Sequence, residues 1–220
     1  MRIHPFVEAV ASLKFEDCFN PYTDRCDVHD RRDAPRRRAA ALSAMLRRAA
    51  EEPIDAIWIG RDLGYRGGRR TGLALTDDVH MAQHARRWSI DLASERPTIG
   101  SAVAERTAAV IWNMLEHIDA RIFLWNVFPL HPHDAGDPFT NRQHNARERR
   151  AGEELLQQLI VLLRPERIVA IGNDAAAAAL RITDSVPVVC VRHPSYGGQT
   201  QFQEQIAELY GQHARAASLF

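Results

Sequence analysis

The chain has 220 residues, 45% of them apolar and 25% charged, with a formal net charge of zero. That length suits one domain with a real core and is short for two, so a single domain spanning 1–220 is expected, with residues 1–50 as a helical extension. No apolar run approaches the ~20 residues needed to cross a bilayer and Met1-Arg2-Ile3-His4-Pro5 is no signal peptide, so the expectation is a cytoplasmic monomer with no membrane partner.

In chain order, a helix is expected over residues 5–13, a polar loop over 20–35 and a second helix over 36–50. Ile54-Asp55-Ala56-Ile57-Trp58-Ile59 then begins a series of four short apolar runs. The others are Ile122-Phe123-Leu124-Trp125, Ile168-Val169-Ala170-Ile171 and Val186-Pro187-Val188-Val189-Cys190-Val191. Runs of this kind, without polar alternation, read as parallel strands buried on both faces. Helical patterns separate them. Val103, Ala104, Thr107, Val110, Ile111, Met114 and Leu115 form a stripe in residues 101–117, and Leu155, Leu156, Leu159, Ile160 and Leu163 form one in 147–163. Asn173-Asp174 ahead of an alanine run reads as a capped helix, and a last helix is expected over 201–213. This alternation predicts an α/β fold, a three-layer α/β/α sandwich around a central four-stranded parallel sheet.

Cys18, Cys26 and Cys190 have no zinc-type spacing. They read as reduced structural thiols, with Cys190 a small core residue. The cations are nearly all arginine, Lys14 being the only lysine, and they cluster at Arg66/Arg69/Arg70, Arg86/Arg87 and Arg147/Arg149/Arg150. Because screening confines each charge to about 8 Å, such clusters can hold phosphate even on a neutral protein. A solvated helix face explains the group at 147–150 equally well.

Ligands of parallel α/β sheets bind beyond the carboxyl ends of the strands, and the polar residues gather there. The first strand runs into Gly60-Arg61-Asp62-Leu63-Gly64, followed by Gly67, Gly68 and Gly72. These glycines let backbone approach a ligand, but no dinucleotide fingerprint opens a helix among them. The second strand ends in Asn126 and continues to His131-Pro132-His133-Asp134, and the fourth ends in Arg192-His193-Pro194-Ser195. A carboxylate, a carboxamide and an imidazole thus converge on one cleft.

Together these segments resemble the uracil-DNA glycosylase superfamily. Gly60-Arg61-Asp62-Leu63-Gly64 resembles its motif A, Thr71-Gly72-Leu73-Ala74-Leu75 its following Gly-Leu-X-Phe piece, and His193-Pro194-Ser195 its motif B; Asn126 falls at its base-reading asparagine. The resemblance runs from about residue 55 to 198 and leaves the first 50 residues unmatched. It implies a base-excision enzyme that hydrolyses the N-glycosidic bond of a flipped-out nucleotide, with DNA containing uracil or another deaminated base as partner. Asp62 and His193 become the catalytic pair, and Gly60, Arg61, Leu63, Gly64, Leu75 and Asn126 surround the base. Ser195, Tyr196, Gly197, Gly198, Asn141, Arg142, Arg69 and Arg70 contact DNA. Leu75 stands where the family has a stacking phenylalanine, so stacking falls to Tyr65, Phe128 or Trp88. The leucine wedge is missing, with Tyr196, Gln199 or Gln201 as substitutes. The cysteines of the iron–sulfur members are absent, and no metal or cofactor is expected.

Two other readings remain. His131-Pro132-His133 suits a metal hydrolase, because an X-Pro-X backbone is extended and can turn both imidazoles to one side. A binder of damaged or single-stranded DNA without turnover would also keep the pocket.

Overall fold

The four apolar runs do pair as parallel strands, and the first three are buried because side chains of alternate parity feed two separate cores, whereas the fourth is only partly buried. The computed structural model describes residues 2–91 and 96–211. The chain opens with α1 (Pro5–Ser12), a two-residue strand β1 (Cys18–Phe19) and α2 (Ala34–Ala50). Next come β2 (Ala56–Asp62), one helical turn α3 (Gly68–Thr71), α4 (Met81–Arg87), α5 (Arg106–Leu115), β3 (Ile122–Phe128) and a short β4 (His131–Pro132). The remainder is α6 (Ala146–Leu163), β5 (Arg167–Ile171), α7 (Asn173–Ile182), β6 (Val188–Val191) and α8 (Gln199–Leu209).

The central sheet has four parallel strands in the order β3-β2-β5-β6. Ile57 and Ile59 of β2, Phe123 and Trp125 of β3, and Ile168 and Ala170 of β5 join a core built with α1, α2, α6 and α7. Ala56 and Trp58, Ile122 and Leu124, and Val169 and Ile171 point the other way, into a core completed by α5 and α8. The expected three layers therefore form. Phe6, Val7, Val10, Leu42, Met45 and Leu46 from the first fifty residues belong to the first core, so this part of the chain packs with the sheet. Beside it, Asn20 Nδ2 donates to the carbonyls of Val10, Ala11 and Leu13, which ties the polar loop to α1.

Several expectations need correction. The helix read over 101–117 begins only at Arg106, and Ala104 is exposed. Gly172, rather than Asn173, occupies the N-cap of α7, and no side chain caps that helix. The last helix ends at Leu209, and His213 lies outside the described residues. The run at 186–191 becomes a strand only from Val188, because Pro187 has no N–H for the ladder. As an edge strand it leaves Cys190 exposed, its thiol 3.7 Å from Asn173 Oδ1. Cys18 and Cys26 are free thiols.

Candidate active site

The carboxyl ends of β2, β5 and β6 open onto a cleft of about 620 Å³. Gly60, Arg61, Asp62, Leu63, Gly64, Leu75, Asn141, Arg142, His193, Ser195 and Tyr196 all line it. The cleft thus gathers Asp62 and His193 from distant strand ends, whereas Asn126, expected on the same cleft, does not line it.

Asp62 closes β2, with its side chain 7% exposed. Arg61 Nε donates to Oδ2 at 2.7 Å, and the His144 imidazole bonds Oδ1 through Nδ1. His144 was not singled out in the sequence. It stands just before Asn145, whose side chain accepts from the N–H groups of Arg147 and Glu148 while the Glu148 carboxylate accepts from Asn145 N–H. This capping box starts α6 and fixes the approach of the preceding residue. The Asn145-Ala146-Arg147-Glu148 pattern was the legible signal. Arg61 also reaches Asp174 at 3.2 Å, so its guanidinium is divided between two carboxylates on the cleft rim.

Asn126 is within β3 rather than beyond its end, in register with Gly60. Its residue is 1% exposed and neither Oδ1 nor Nδ2 has a hydrogen-bond partner. Two buried unpaired amide groups cost about 1–3 kcal/mol each, a cost that a bound ligand with the matching edge would remove. Gly60 and Leu75, both lining the cleft, screen the carboxamide. A Cβ on Gly60 would lie 2.5 Å from Asn126 Oδ1 and 2.9 Å from Leu75 Cδ2, so only glycine leaves room there. Leu75 itself has φ +54°, a left-handed conformation that L residues avoid, and its carbonyl accepts from Trp112 Nε1 at 3.1 Å.

His193 follows β6, and burial pushes its pKa down, aided by Arg61 and Arg192. The ring is therefore neutral at neutral pH. Ser195 N–H donates to Nδ1 at 3.2 Å, with Ser195 Oγ 2.7 Å from the same atom. An Nδ1 that accepts carries no proton, so the proton sits on Nε2, which can donate. Ser195, expected at phosphate, spends its hydroxyl on this imidazole.

Other DNA-contact expectations change in the same way. Arg69 and Arg70 are only 3% and 4% exposed. Arg70 pairs with buried Asp78 at 2.7 Å, and Arg69 lies over the rings of Phe19 and Phe139. Both hold the loop together and face no groove. Arg142 is chelated by Glu148 through two bonds and also donates to the carbonyls of Glu16, Asp17 and His133. Asn141 is exposed and accepts from Tyr65 N–H. Gly198 N–H is taken by Ser195 O, whereas Gly197 is exposed with φ +77°. Tyr196 stands out from the tip of this loop, 97% exposed. Arg192, absent from the expected set, is an exposed cation in the cleft.

Of the stacking candidates, Trp88 packs on Phe123 and Phe128 packs on Phe15 and His144, both in the interior. Leu75 is left as the apolar wall of the cleft, with Tyr65 lining an adjoining hollow. The His131-Pro132 segment pairs with β1, and His131 is buried with Nε2 2.8 Å from Thr140 O. His133 Nδ1 is 3.0 Å from Asp134 O. No group of three or more His, Cys, Asp or Glu side chains is placed to hold a metal among the described residues.

No curated protein matches the chain. Among solved structures it is similar to wild-type SMUG2 of Pedobacter heparinus, with TM-score 0.58 and 13% identity over 94% of this chain and 97% of that one. It is also similar, with TM-score 0.45 and 18% identity over 81% of this chain and 78% of that one, to a tyrosine-to-glycine mutant of UNG from Nitratifractor salsuginis. The first likeness is one of fold. The sequence model described as the uracil DNA glycosylase superfamily matches residues 55–211, most of the chain and every strand of the central sheet. The chain belongs to the uracil DNA glycosylase superfamily.

Proposed function

We propose that this protein is a DNA glycosylase that excises uracil from DNA by hydrolysing the N-glycosidic bond of a flipped-out nucleotide. Family membership supports the glycosylase class and DNA as the partner. The choice of uracil rests on one observation, the buried and unpaired carboxamide of Asn126 behind the cleft that holds Asp62 and His193. In this reading Asn126 Oδ1 accepts from uracil N3–H and Nδ2 donates to O4. Cytosine offers the opposite pattern and would leave both groups unpaired. Leu75 shifts aside to admit the base edge.

The chemistry separates charge, because the base leaves as an anion and the sugar becomes oxocarbenium-like. His193 serves the anion. Its neutral ring donates from Nε2 to the base O2 as negative charge develops there, an oxyanion-hole role. Asp62 serves the sugar side, offsetting positive charge and orienting the attacking water. The positions of Arg61 and His144 hold that carboxylate in one orientation. Exposed Arg192 meets a phosphate, and Tyr196 enters the base stack that the flipped nucleotide leaves.

The test is an oligonucleotide with a single uracil, incubated with purified protein and then treated with alkali. Strand breakage at the uracil is expected. Binding without breakage for uracil, hypoxanthine and xanthine would leave a DNA binder without turnover, a reading that the screening of Asn126 by Leu75 favours.

A further inference from the structure

Besides Asp174, which pairs with Arg61, the cleft carries a further carboxyl that the excision chemistry above does not use. Glu105 is the N-cap residue of α5, yet its side chain makes no capping bond. Its backbone is fixed instead, the N–H donating to Asp77 Oδ2 at 2.6 Å and the carbonyl accepting from Ala109 N–H at 3.0 Å. The side chain turns instead to the glycine loop after β2, where it lines the cleft beside Gly64 and Gly68. A Cβ on Gly67 would lie 2.5 Å from Glu105 Oε2, and one on Gly64 would lie 3.7 Å from Oε1. With glycine at 67 the carboxyl fills the space that a side chain there would take. Among the described residues the carboxyl has no hydrogen-bond partner. Burial pushes its pKa up to about 7, with buried Asp77 raising it further and Arg66 opposing.

A polar group held in a cleft wall without a partner is suited to a ligand. We propose that Glu105 is a specificity-determining residue of the base pocket, where its carboxyl hydrogen-bonds a base with an O–H or N–H donor on the edge facing Gly64 and Gly67, and disfavours a base with a methyl group there. This inference rests on the glycosylase reading. A donor satisfies the carboxyl, whereas a methyl group strips it of water and offers nothing in return. The discrimination should amount to roughly 10- to 100-fold in kcat/KM. It strengthens as the group ionises, because a carboxylate accepts more strongly and tolerates an apolar neighbour less.

The experiment compares duplexes carrying uracil, thymine or 5-hydroxymethyluracil at one position, for wild type, Glu105→Gln and Glu105→Leu between pH 6 and 8.5. In the wild type the ratio of hydroxymethyluracil to thymine excision should rise with pH through about 7. Glu105→Leu should lower that ratio by about tenfold or more. Glu105→Gln should make it independent of pH, a change that a purely structural role would not produce. If the leucine variant fails to fold by circular dichroism, the pH profile of Glu105→Gln decides alone. Uracil excision with the ratio and its pH dependence unaltered in the variants would overturn the role of Glu105 and leave the glycosylase reading standing. No excision of any base by the wild type would overturn both.

Discussion

Asn126, His193 and Asp62 each sit in an environment that limits what they can do. The Ser195 N–H holds His193 Nδ1 as an acceptor, so Nε2 is the donor. His193→Ala should lower excision by roughly 10²- to 10³-fold while DNA affinity changes little; gel-shift affinities alongside single-turnover rates would separate the two. Asn126→Asp should relax discrimination against cytosine, because a carboxyl that takes up a proton can pair with the cytosine edge. Unaltered preference for uracil over cytosine in that variant would mean that another group reads the base. For His144, which bonds Asp62 without lining the cleft, the expected signature is positional. His144→Gln should reduce kcat by on the order of 10²-fold with KM unchanged, and an equal rise in KM would contradict it. These side chains were only partly legible beforehand. Asp62, Asn126 and His193 carry motif spacing, whereas His144 and Glu105 have none, because their roles come from which loop the fold folds back onto the cleft.

At the level of elements, the cleft depends on how its loops are anchored. Asn145→Ala removes the cap of α6 and should cost about 1 kcal/mol of stability, measurable as a shift in the denaturation midpoint. Because His144 is the residue before that cap, the same variant should lose more activity than its stability loss explains. The loop after β2 behaves similarly. Its arginines look like phosphate ligands in a linear reading, yet Arg70 is sequestered by Asp78 and Arg69 by two aromatic rings. Periodicity could reveal the strands and long helices, since burial on a regular face repeats in sequence. It could not reveal α3, one turn closed by Gly72 at φ +69°, or whether an arginine in a loop turns in or out.

Across the molecule, buried titratable groups set the pH range of stability. Burial pushes His84 down to about 3 and His131 down to about 4, well under the usual 6.5. Between those values and 6.5 the unfolded chain binds protons that the folded chain does not, so these histidines withdraw stability as pH falls. Each does so at up to about 1.4 kcal/mol per pH unit. Glu105 acts in the opposite sense between 4.5 and about 7, where the folded chain holds the extra proton. The net loss on acidification from 6.5 should therefore be shallow at first and steepen below 4.5. Urea midpoints at pH 7.5, 5.5 and 4.2 would show this, and Glu105→Gln should steepen the first part.

By itself the sequence determined the parallel α/β architecture, the family and the residues that end the strands, because buried strands and short motifs are local patterns written in consecutive residues. Only the tertiary structure decided that Cys190 lies on an exposed edge, that Arg69, Arg70 and Arg142 serve the fold, and that Asn126 is unpaired behind Gly60 and Leu75. It also brought His144 to Asp62 and turned Glu105 onto the glycine loop. Burial and partnership at these positions depend on contacts between residues 6 to 126 places apart in the chain, and irregular contacts over such separations leave no period in the sequence to read.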